Sequence, residues 1–175
     1  LYNKYTYYKG KHFIDGVNML FTSTNTGRLM NLTDMPGHLI RRLHQLSNAT
    51  FAEKIKVTGL DITSVQFATL HTLRSMPGVD QATVAQVIAF DRATIGGVVD
   101  RLVKKGWVRR EVNKDDRRAR QLWLTEDGNA TLDLAIPLVE ELQADILLGL
   151  ADDERKRFVT MTLRILEKSA PVAPR

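Results

Sequence analysis

The segment from Asp91 to Thr125 constrains the fold of this chain more than any other part of the sequence. It begins with a pattern typical of an amphipathic helix, in which apolar residues recur at helical spacing: Ile95, Val98, Val99 and Leu102. Two short alternating stretches follow, 107–112 and 120–125, separated by the turn formers and cations of NKDDRRA. This order predicts a helix that leads directly into a two-stranded hairpin.

Positive charge is concentrated in the same segment. Residues 101–120 hold nine Lys or Arg side chains and three acidic ones, a net charge of +6, so the rest of the chain carries −1 of its total of +5. A compact basic surface of this kind is typical of a protein that binds a polyanion, and duplex DNA is the natural candidate. The alternative is a solvated charged hairpin without a partner.

A second short helix is predicted immediately before the first. Asp80 is a suitable N-cap for it, a turn follows at Ala89-Phe90, and Asp91 caps the next helix. Gly106 is placed to end that helix in a left-handed conformation. Two short helices joined by a tight turn indicate a helix-turn-helix; an ordinary helical hairpin in an all-α core is the alternative.

The helix after Asp91 supplies candidate DNA contacts. Arg92, Ala93 and Thr94 stand at its start, where a recognition helix meets base edges and phosphates. Gly96 and Gly97 cost about 1 kcal/mol each relative to alanine inside a helix, which indicates close approach either to DNA or to a neighbouring helix.

The hairpin supplies the remaining candidates. We expect Arg118 to enter the minor groove, with Asp116 pairing to it and orienting it; a plain surface ion pair is the alternative. The other predicted DNA-binding residues are cations that mostly face phosphates: Arg101, Lys104, Lys105, Lys114, Arg117 and Arg120.

Helical patterns flank this unit on both sides, and Thr63 and Thr125 are suitable N-caps for the helices that follow them. Leu39, Leu43 and Leu46 recur after Pro36, and a long apolar stripe runs from Leu132 to Leu150, where Pro137 should kink or break the helix. These helices would bury their apolar faces against a partner subunit or, alternatively, against the same chain. The predicted domains are an extension or vector-derived leader (1–34), a dimerisation helix (35–62), a winged helix-turn-helix (63–125), C-terminal dimerisation helices (126–168) and a tail (169–175).

Composition excludes several classes of site. The chain has no cysteine, so thiolate metal sites and cysteine redox chemistry are excluded, and its four histidines lack the spacing of a zinc motif. We expect no cofactor and no metal. No P-loop, dinucleotide fingerprint or Ser/His/Asp set is present, which argues against an enzyme. No apolar run reaches the length of a membrane span, and the N-terminus is a poor signal peptide, so we expect a cytoplasmic protein with no membrane partner.

These residues resemble the MarR family of winged-helix transcriptional regulators. The resemblance covers roughly 35–168 and is most specific in two motifs. One is L..KG.V.R, here Leu102, Lys105, Gly106, Val108 and Arg110; the other is a D-x-R wing element leading into Leu-Thr-x-x-Gly, here Asp116, Arg118, Leu124, Thr125 and Gly128. The sequence departs from the peroxide-sensing branch, which needs a reactive cysteine.

The resemblance implies a fold class and a function. The fold is mainly α with a small β-hairpin wing, a winged helix-turn-helix joined to a helical dimerisation region. The function is that of a homodimeric repressor that leaves a near-palindromic operator on binding a small phenolic or carboxylate aromatic ligand. Candidate ligand contacts near the junction are His38, Arg42, His44 and His71; for each histidine the alternative is a structural or surface residue without a ligand. A sequence-neutral architectural DNA-binding protein is the alternative.

Overall fold

A computed structural model describes residues 31–112 and 120–168. The chain separates into a unit comprising Leu1–Leu39 and a unit comprising Ile40–Arg175. In the first, Asn31 caps a 3₁₀ turn at Leu32–Asp34, and helix α1 (Pro36–Lys56) begins two residues later. From Ile40 onward helix α1 belongs to the second unit, as do all the elements that follow it.

Three helices with matched N-caps form the helix-turn-helix region. They are α2 (Ser64–Ser75), α3 (Gln81–Val87) and α4 (Arg92–Lys104). Thr63 and Gln66 satisfy each other's backbone in a capping box before α2, and Asp80 and Asp91 accept backbone hydrogen bonds at the starts of α3 and α4. The predicted caps at Thr63, Asp80 and Asp91 are therefore confirmed.

The turn between α3 and α4 contains a strained residue. Ala89 has a φ of 56°, in the left-handed region that costs an L-residue roughly 1–2 kcal/mol. The neighbouring amide of Phe90 donates to the carbonyl of Ala85 at 2.9 Å, which closes the turn. The sequence predicted a turn at this place, but not its left-handed alanine.

A two-stranded antiparallel hairpin follows α4. Gly106, with a φ of 74°, ends the helix as predicted, and β1 (Val108–Val112) pairs with β2 (Arg120–Leu124). The register places Arg110 opposite Leu122 and Val112 opposite Arg120. The helix-turn-helix and its wing thus follow the predicted order, and the predicted fold class is confirmed.

The core lies where these elements meet. Its fully buried side chains come from α2, α3, α4, β2 and the helix that follows the hairpin, and they include Leu70, Leu73, Val84, Ile95, Val98, Leu102, Leu122 and Leu132. These are the apolar positions of the helical pattern, so burying them removes one continuous apolar surface from water. The same packing leaves the start of α4 on the outside.

Two helices complete the chain, α5 (Glu126–Ile146) and α6 (Asp152–Lys168). Thr125 caps α5 as predicted. The helix runs without a break through Pro137, because buried Leu132, Ala135 and Leu142 hold it on both sides of the proline. It ends at Ile146, so Leu150 lies beyond the helical stripe predicted for it.

Among the described residues, no single helix is long and apolar enough to cross a membrane. Only α3 and α4 taken together meet that test of length and composition, and they are bent by 113° at the turn between them.

Candidate nucleic-acid interface

The start of α4 is an exposed, rigidly capped surface. Arg92, Ala93 and Thr94 form its first turn, and all three side chains are exposed. The backbone N–H of Thr94 donates to the Asp91 carboxylate at 2.7 Å, and the Thr94 hydroxyl donates to the other oxygen of that group. These hydrogen bonds, led by that of the hydroxyl, lower the pKa of Asp91. The two hydrogen bonds to Asp91 hold the first turn of α4 in place, with its three side chains exposed to solvent.

Helix α3 supports this turn through Gln81. The side-chain amide of Gln81 donates to the backbone carbonyl of Arg92 at 3.2 Å. A Cβ on Gly96 would stand 3.1 Å from the same amide nitrogen, whereas a Cβ on Gly97 would meet only Arg101 at 3.6 Å. The close approach at Gly96 is therefore to a neighbouring helix. At Gly97 the described residues leave enough space for a Cβ.

Three of the predicted phosphate-facing cations are exposed around α4 and the wing. Arg101 and Lys104 belong to the last turn of α4, and Arg120 begins β2. The predicted wing-tip residues Lys114, Asp116, Arg117 and Arg118 lie outside the described residues.

Lys105 has internal partners. Its ammonium group donates to the Asp61 carboxylate at 2.7 Å and to the backbone carbonyl of the same residue. It also lies 4.5 Å from the centre of the Trp107 ring. This cation therefore ties the end of α4 to the connection between α1 and α2, which reduces the charge it offers to a phosphate.

Arg109 and Arg110 also have partners within the fold. Arg110 shares a strand face with buried Val108, and its guanidinium bonds the Asp100 carboxylate of α4 at 2.6 Å. Arg109 pairs with Glu111 and lies 5.3 Å from the centre of the Trp123 ring. The ion pair between Asp100 and Arg110 joins α4 to the wing. Sequence reasoning missed it, although the alternation of β1 already placed Arg110 on the inner face.

A cavity of about 370 Å³ opens between α2 and α5. Its lining residues are mostly apolar or aromatic: Phe67, Ala68, His71, Thr72, Ile88, Ile136, Val139, Glu140 and Gln143. Ile88 is the C-cap of α3, so the cavity also touches the helix-turn-helix. A volume of this size suits a small aromatic molecule.

Of the four predicted ligand contacts, His71 lines this cavity, with its ring centre 5.9 Å from that of Phe67. His44 shares a hydrogen bond with Asn48 on α1, and Arg42 is exposed on the same helix; neither lines the cavity. His38 belongs to the unit that ends at Leu39. Within 31–112 and 120–168, no cluster of three His, Asp or Glu side chains is placed to hold a metal ion.

The two aspartate caps predict a pH dependence of stability. Hydrogen bonds from Thr83 lower the pKa of Asp80, and those from Thr94 lower that of Asp91. Because the folded pKa values lie below an unfolded value of about 3.9, the stabilisation is present above that pH and is lost as pH falls through the folded values. We expect the double substitution Asp80→Asn and Asp91→Asn to keep both caps, since Asn is a good N-cap, but to flatten the fall of Tm between about pH 5 and 2.

Thermal unfolding followed by circular dichroism at several pH values measures this effect. Glu53→Gln, at an exposed position on α1, is the control and should leave the slope unchanged. A double variant whose Tm falls as steeply as that of the wild type would contradict the assignment.

The sequence of this chain is similar to those of known proteins. A family model described as the MarR family matches residues 62–119. The transcriptional regulator HosA of Escherichia coli O157:H7 is 28% identical over 137 residues, which cover 78% of this chain and 98% of HosA. The transcriptional repressor NicR of Pseudomonas putida is 31% identical over 137 residues, covering 78% of this chain and 85% of NicR.

Solved structures share the fold. BpsR of Bordetella bronchiseptica, whose DNA binding is regulated by 6-hydroxynicotinic acid, matches with a TM-score of 0.74 and 29% identity over 82% of this chain and 100% of BpsR. A mutant of MarR from E. coli in complex with operator DNA matches with a TM-score of 0.70 and 28% identity over 77% of this chain and 96% of that one. The matched family model, the identity to NicR over most of its length and the shared fold establish that this chain belongs to the MarR family of transcriptional regulators.

Proposed function

We propose that this protein is a homodimeric repressor that binds a near-palindromic operator and leaves it when a small aromatic ligand binds. The observation that carries the DNA-binding part is the exposed, capped first turn of α4, together with exposed Arg101 and Lys104 in the last turn of the same helix and Arg120 at the start of β2. In this proposal Arg92, Ala93 and Thr94 meet the major groove, and Arg118 enters the minor groove. A mutant of MarR from E. coli with the same fold has been solved with operator DNA, which supports DNA binding by this chain.

Exposed apolar side chains support the dimer. On α6, Val159, Leu163 and Leu166 share one face at steps of four and three residues, and each is at least half exposed. Met161, farther around the same helix, and Ile40 on α1 are also exposed. An apolar face of this length on a small protein indicates burial against another chain. A two-fold dimer places two α4 helices on half-sites about one turn of DNA apart.

The cavity between α2 and α5 supports ligand control. Its walls are mostly apolar or aromatic, with polar groups at His71, Thr72, Glu140 and Gln143, a composition that suits an aromatic ring carrying hydrogen-bonding groups. BpsR responds to such a molecule, 6-hydroxynicotinic acid. We propose no catalytic activity and a cytoplasmic location, where the DNA of a bacterial cell lies.

Selection of binding sites from a random duplex library tests the DNA-binding proposal. Purified protein at about 0.15 M salt should recover a near-palindrome with half-sites about 10 base pairs apart. A flat preference across sequences, with binding that vanishes as salt rises, would instead indicate a sequence-neutral architectural protein.

The wing assignment predicts a large difference between two arginines. Arg118→Ala should weaken operator binding by about tenfold or more, because a narrow minor groove strengthens the attraction of an inserted guanidinium. Arg109→Ala should have a smaller effect, since Arg109 is paired with Glu111 and Trp123. Gel-shift titrations of both variants decide the point: equal affinities of Arg118→Ala and wild type would remove Arg118 from the interface.

The ligand assignment predicts that His71→Ala reduces the release of operator by 6-hydroxynicotinic acid about tenfold, since each lost hydrogen bond to a charged group is worth about 1.5–3 kcal/mol. The measurement is a DNA-release titration with this compound as the probe. A second arm substitutes Arg42 and His44 together with alanine. If the double variant releases operator like the wild type, these two residues have no part in ligand binding.

A further inference from the structure

Arg74 makes a three-point contact between α2 and α5. Its Nε donates to the side-chain oxygen of Asn129 at 3.2 Å, and one terminal nitrogen donates to the backbone carbonyl of the same residue at 2.8 Å. The other terminal nitrogen bonds the Asp133 carboxylate at 2.7 Å. A guanidinium presents its N–H groups in a rigid planar fork, so these bonds fix both the distance and the angle between the helices here.

The same helix faces form the walls of the cavity. On α2, Arg74 follows His71 by three residues and Phe67 by seven, which places all three on one face. On α5, Asn129 and Asp133 precede Ile136 and Glu140 at alternating steps of four and three residues, again on one face. Arg74 therefore closes one end of the space between α2 and α5, and the cavity opens farther along the same space.

The Arg74 end of α2 is also attached to the wing. Four residues later the backbone N–H of Gly78 donates to the carbonyl of Leu122 in β2 at 3.0 Å, and the N–H of Leu122 donates back to Val79 at 3.0 Å. Asp80, the cap of α3, pairs with Gln121 of β2 in an isolated β-bridge. These contacts join the Arg74 end of α2 to the wing and to the start of α3.

On the basis of the proposed ligand-controlled DNA binding, we propose that Arg74 is a positioning residue that couples the cavity to the DNA-binding surface. Its contacts with Asn129 and Asp133 hold one end of α2 against α5. A molecule that fills the cavity then pushes α2 and α5 apart at the cavity, away from Arg74. Because the Arg74 end of α2 stays fixed to α5, α2 rotates about that end. Without this clamp, the same molecule separates the helices locally and moves the wing less.

A double-mutant cycle tests the clamp without any ligand. Ala68→Leu fills the cavity from α2, and Arg74→Lys keeps the positive charge but removes the planar fork. In the full-length chain, Ala68→Leu should weaken binding to the selected operator by about tenfold in the wild-type background. In the Arg74→Lys background its effect should be smaller by about threefold or more. Fluorescence anisotropy with labelled operator gives the four affinities.

Arg155→Lys is the matched control. Arg155 of α6 has nearly the same side-chain exposure as Arg74, 29% against 31%. Its Nε also donates to a backbone carbonyl, that of Leu150 at 2.9 Å, and its guanidinium pairs with Asp152 at 3.7 Å. Its effect and that of Ala68→Leu should multiply. If the effects of Arg74→Lys and Ala68→Leu also multiply to within about twofold, Arg74 contributes only to stability and the inference is overturned.

A parallel cycle on the thermal midpoint separates failure of the clamp from failure of the proposed function. If the wild type selects no operator, the proposed function fails, but the midpoints still decide about Arg74. Ala68→Leu should then lower the midpoint less in the Arg74→Lys background, because a lysine without the planar fork holds α2 and α5 together less rigidly. Equal shifts in both backgrounds would overturn the clamp. If Ala68→Leu does not fold, Gln143→Met fills the cavity from α5 and replaces it in both cycles.

Discussion

Gly128→Ala should lower the free energy of unfolding by about 3 kcal/mol, at the upper end of what overpacking a core costs. A Cβ at this position would lie 2.1 Å from the backbone carbonyl oxygen of Trp107. That oxygen is held in place because it accepts a hydrogen bond from the Thr125 backbone at 3.1 Å. The Thr125 hydroxyl in turn donates to the carbonyl of Gly106 at 2.7 Å. Neither α5 nor the start of the wing can therefore move to make room for the Cβ without breaking the hydrogen bonds of Thr125 to Trp107 and Gly106.

Urea unfolding of Gly128→Ala measures this cost. Gly37→Ala in the first turn of α1 is the matched control: it adds the same methyl group, where the described residues leave open space around the added Cβ. It should leave stability unchanged or raise it by up to about 1 kcal/mol, since alanine favours a helix over glycine. A Gly128→Ala variant as stable as the control would show that α5 moves freely relative to the wing.

Leu166→Asp should convert the proposed dimer to a monomer and reduce operator affinity by about 100-fold or more, because two linked half-site contacts become one. Leu166 is 61% exposed on the apolar face of α6, and every residue along 152–168 is at least partly exposed. Burying a carboxylate there in a dimer interface would leave a charge without a partner. Analytical ultracentrifugation measures the assembly state, and anisotropy measures the operator affinity.

Thr160→Asp provides the control for charge. It adds one negative charge to the same helix, but on the polar face, about 120° around the helix from Leu166. The Thr160 hydroxyl there donates to the Lys156 carbonyl at 2.9 Å. The control should remain dimeric and bind operator nearly as well as the wild type. If Leu166→Asp also remains a dimer, α6 does not form the interface, and the apolar face has another role.

The elements that the sequence predicted correctly depend on local chemistry. Asp80, Asp91 and Thr125 cap helices because a short polar side chain satisfies backbone N–H groups two or three residues on, and Gly106 ends α4 because glycine tolerates a positive φ. These rules need only neighbouring residues. The order of helices and strands could therefore be predicted without knowledge of the tertiary structure.

Features that depend on distant residues could not be predicted. Arg74 contacts residues 55 and 59 positions away, and Lys105 contacts Asp61 44 positions away. For Lys105 the sequence shows only a cation in a basic segment, and this pattern predicts a phosphate contact. Which partner such a side chain meets is decided when the helices pack. The domain boundaries, the DNA and ligand contacts and the wing-tip pair of Asp116 and Arg118 remain predictions.

The two tryptophans give the protein a built-in optical reporter. They are the only ones in the chain, and both flank the wing: Trp107 directly precedes β1, and Trp123 lies in β2. Each ring has a cationic group about 5 Å from its centre, Lys105 at 4.5 Å and Arg109 at 5.3 Å. The emission of an indole ring depends on nearby charges. Selective excitation of tryptophan therefore gives a fluorescence signal that reports on the surroundings of the wing. Helices α1, α5 and α6 contain no tryptophan and do not contribute to this emission. Tryptophan fluorescence can therefore follow movements of the wing over time in the unlabelled protein.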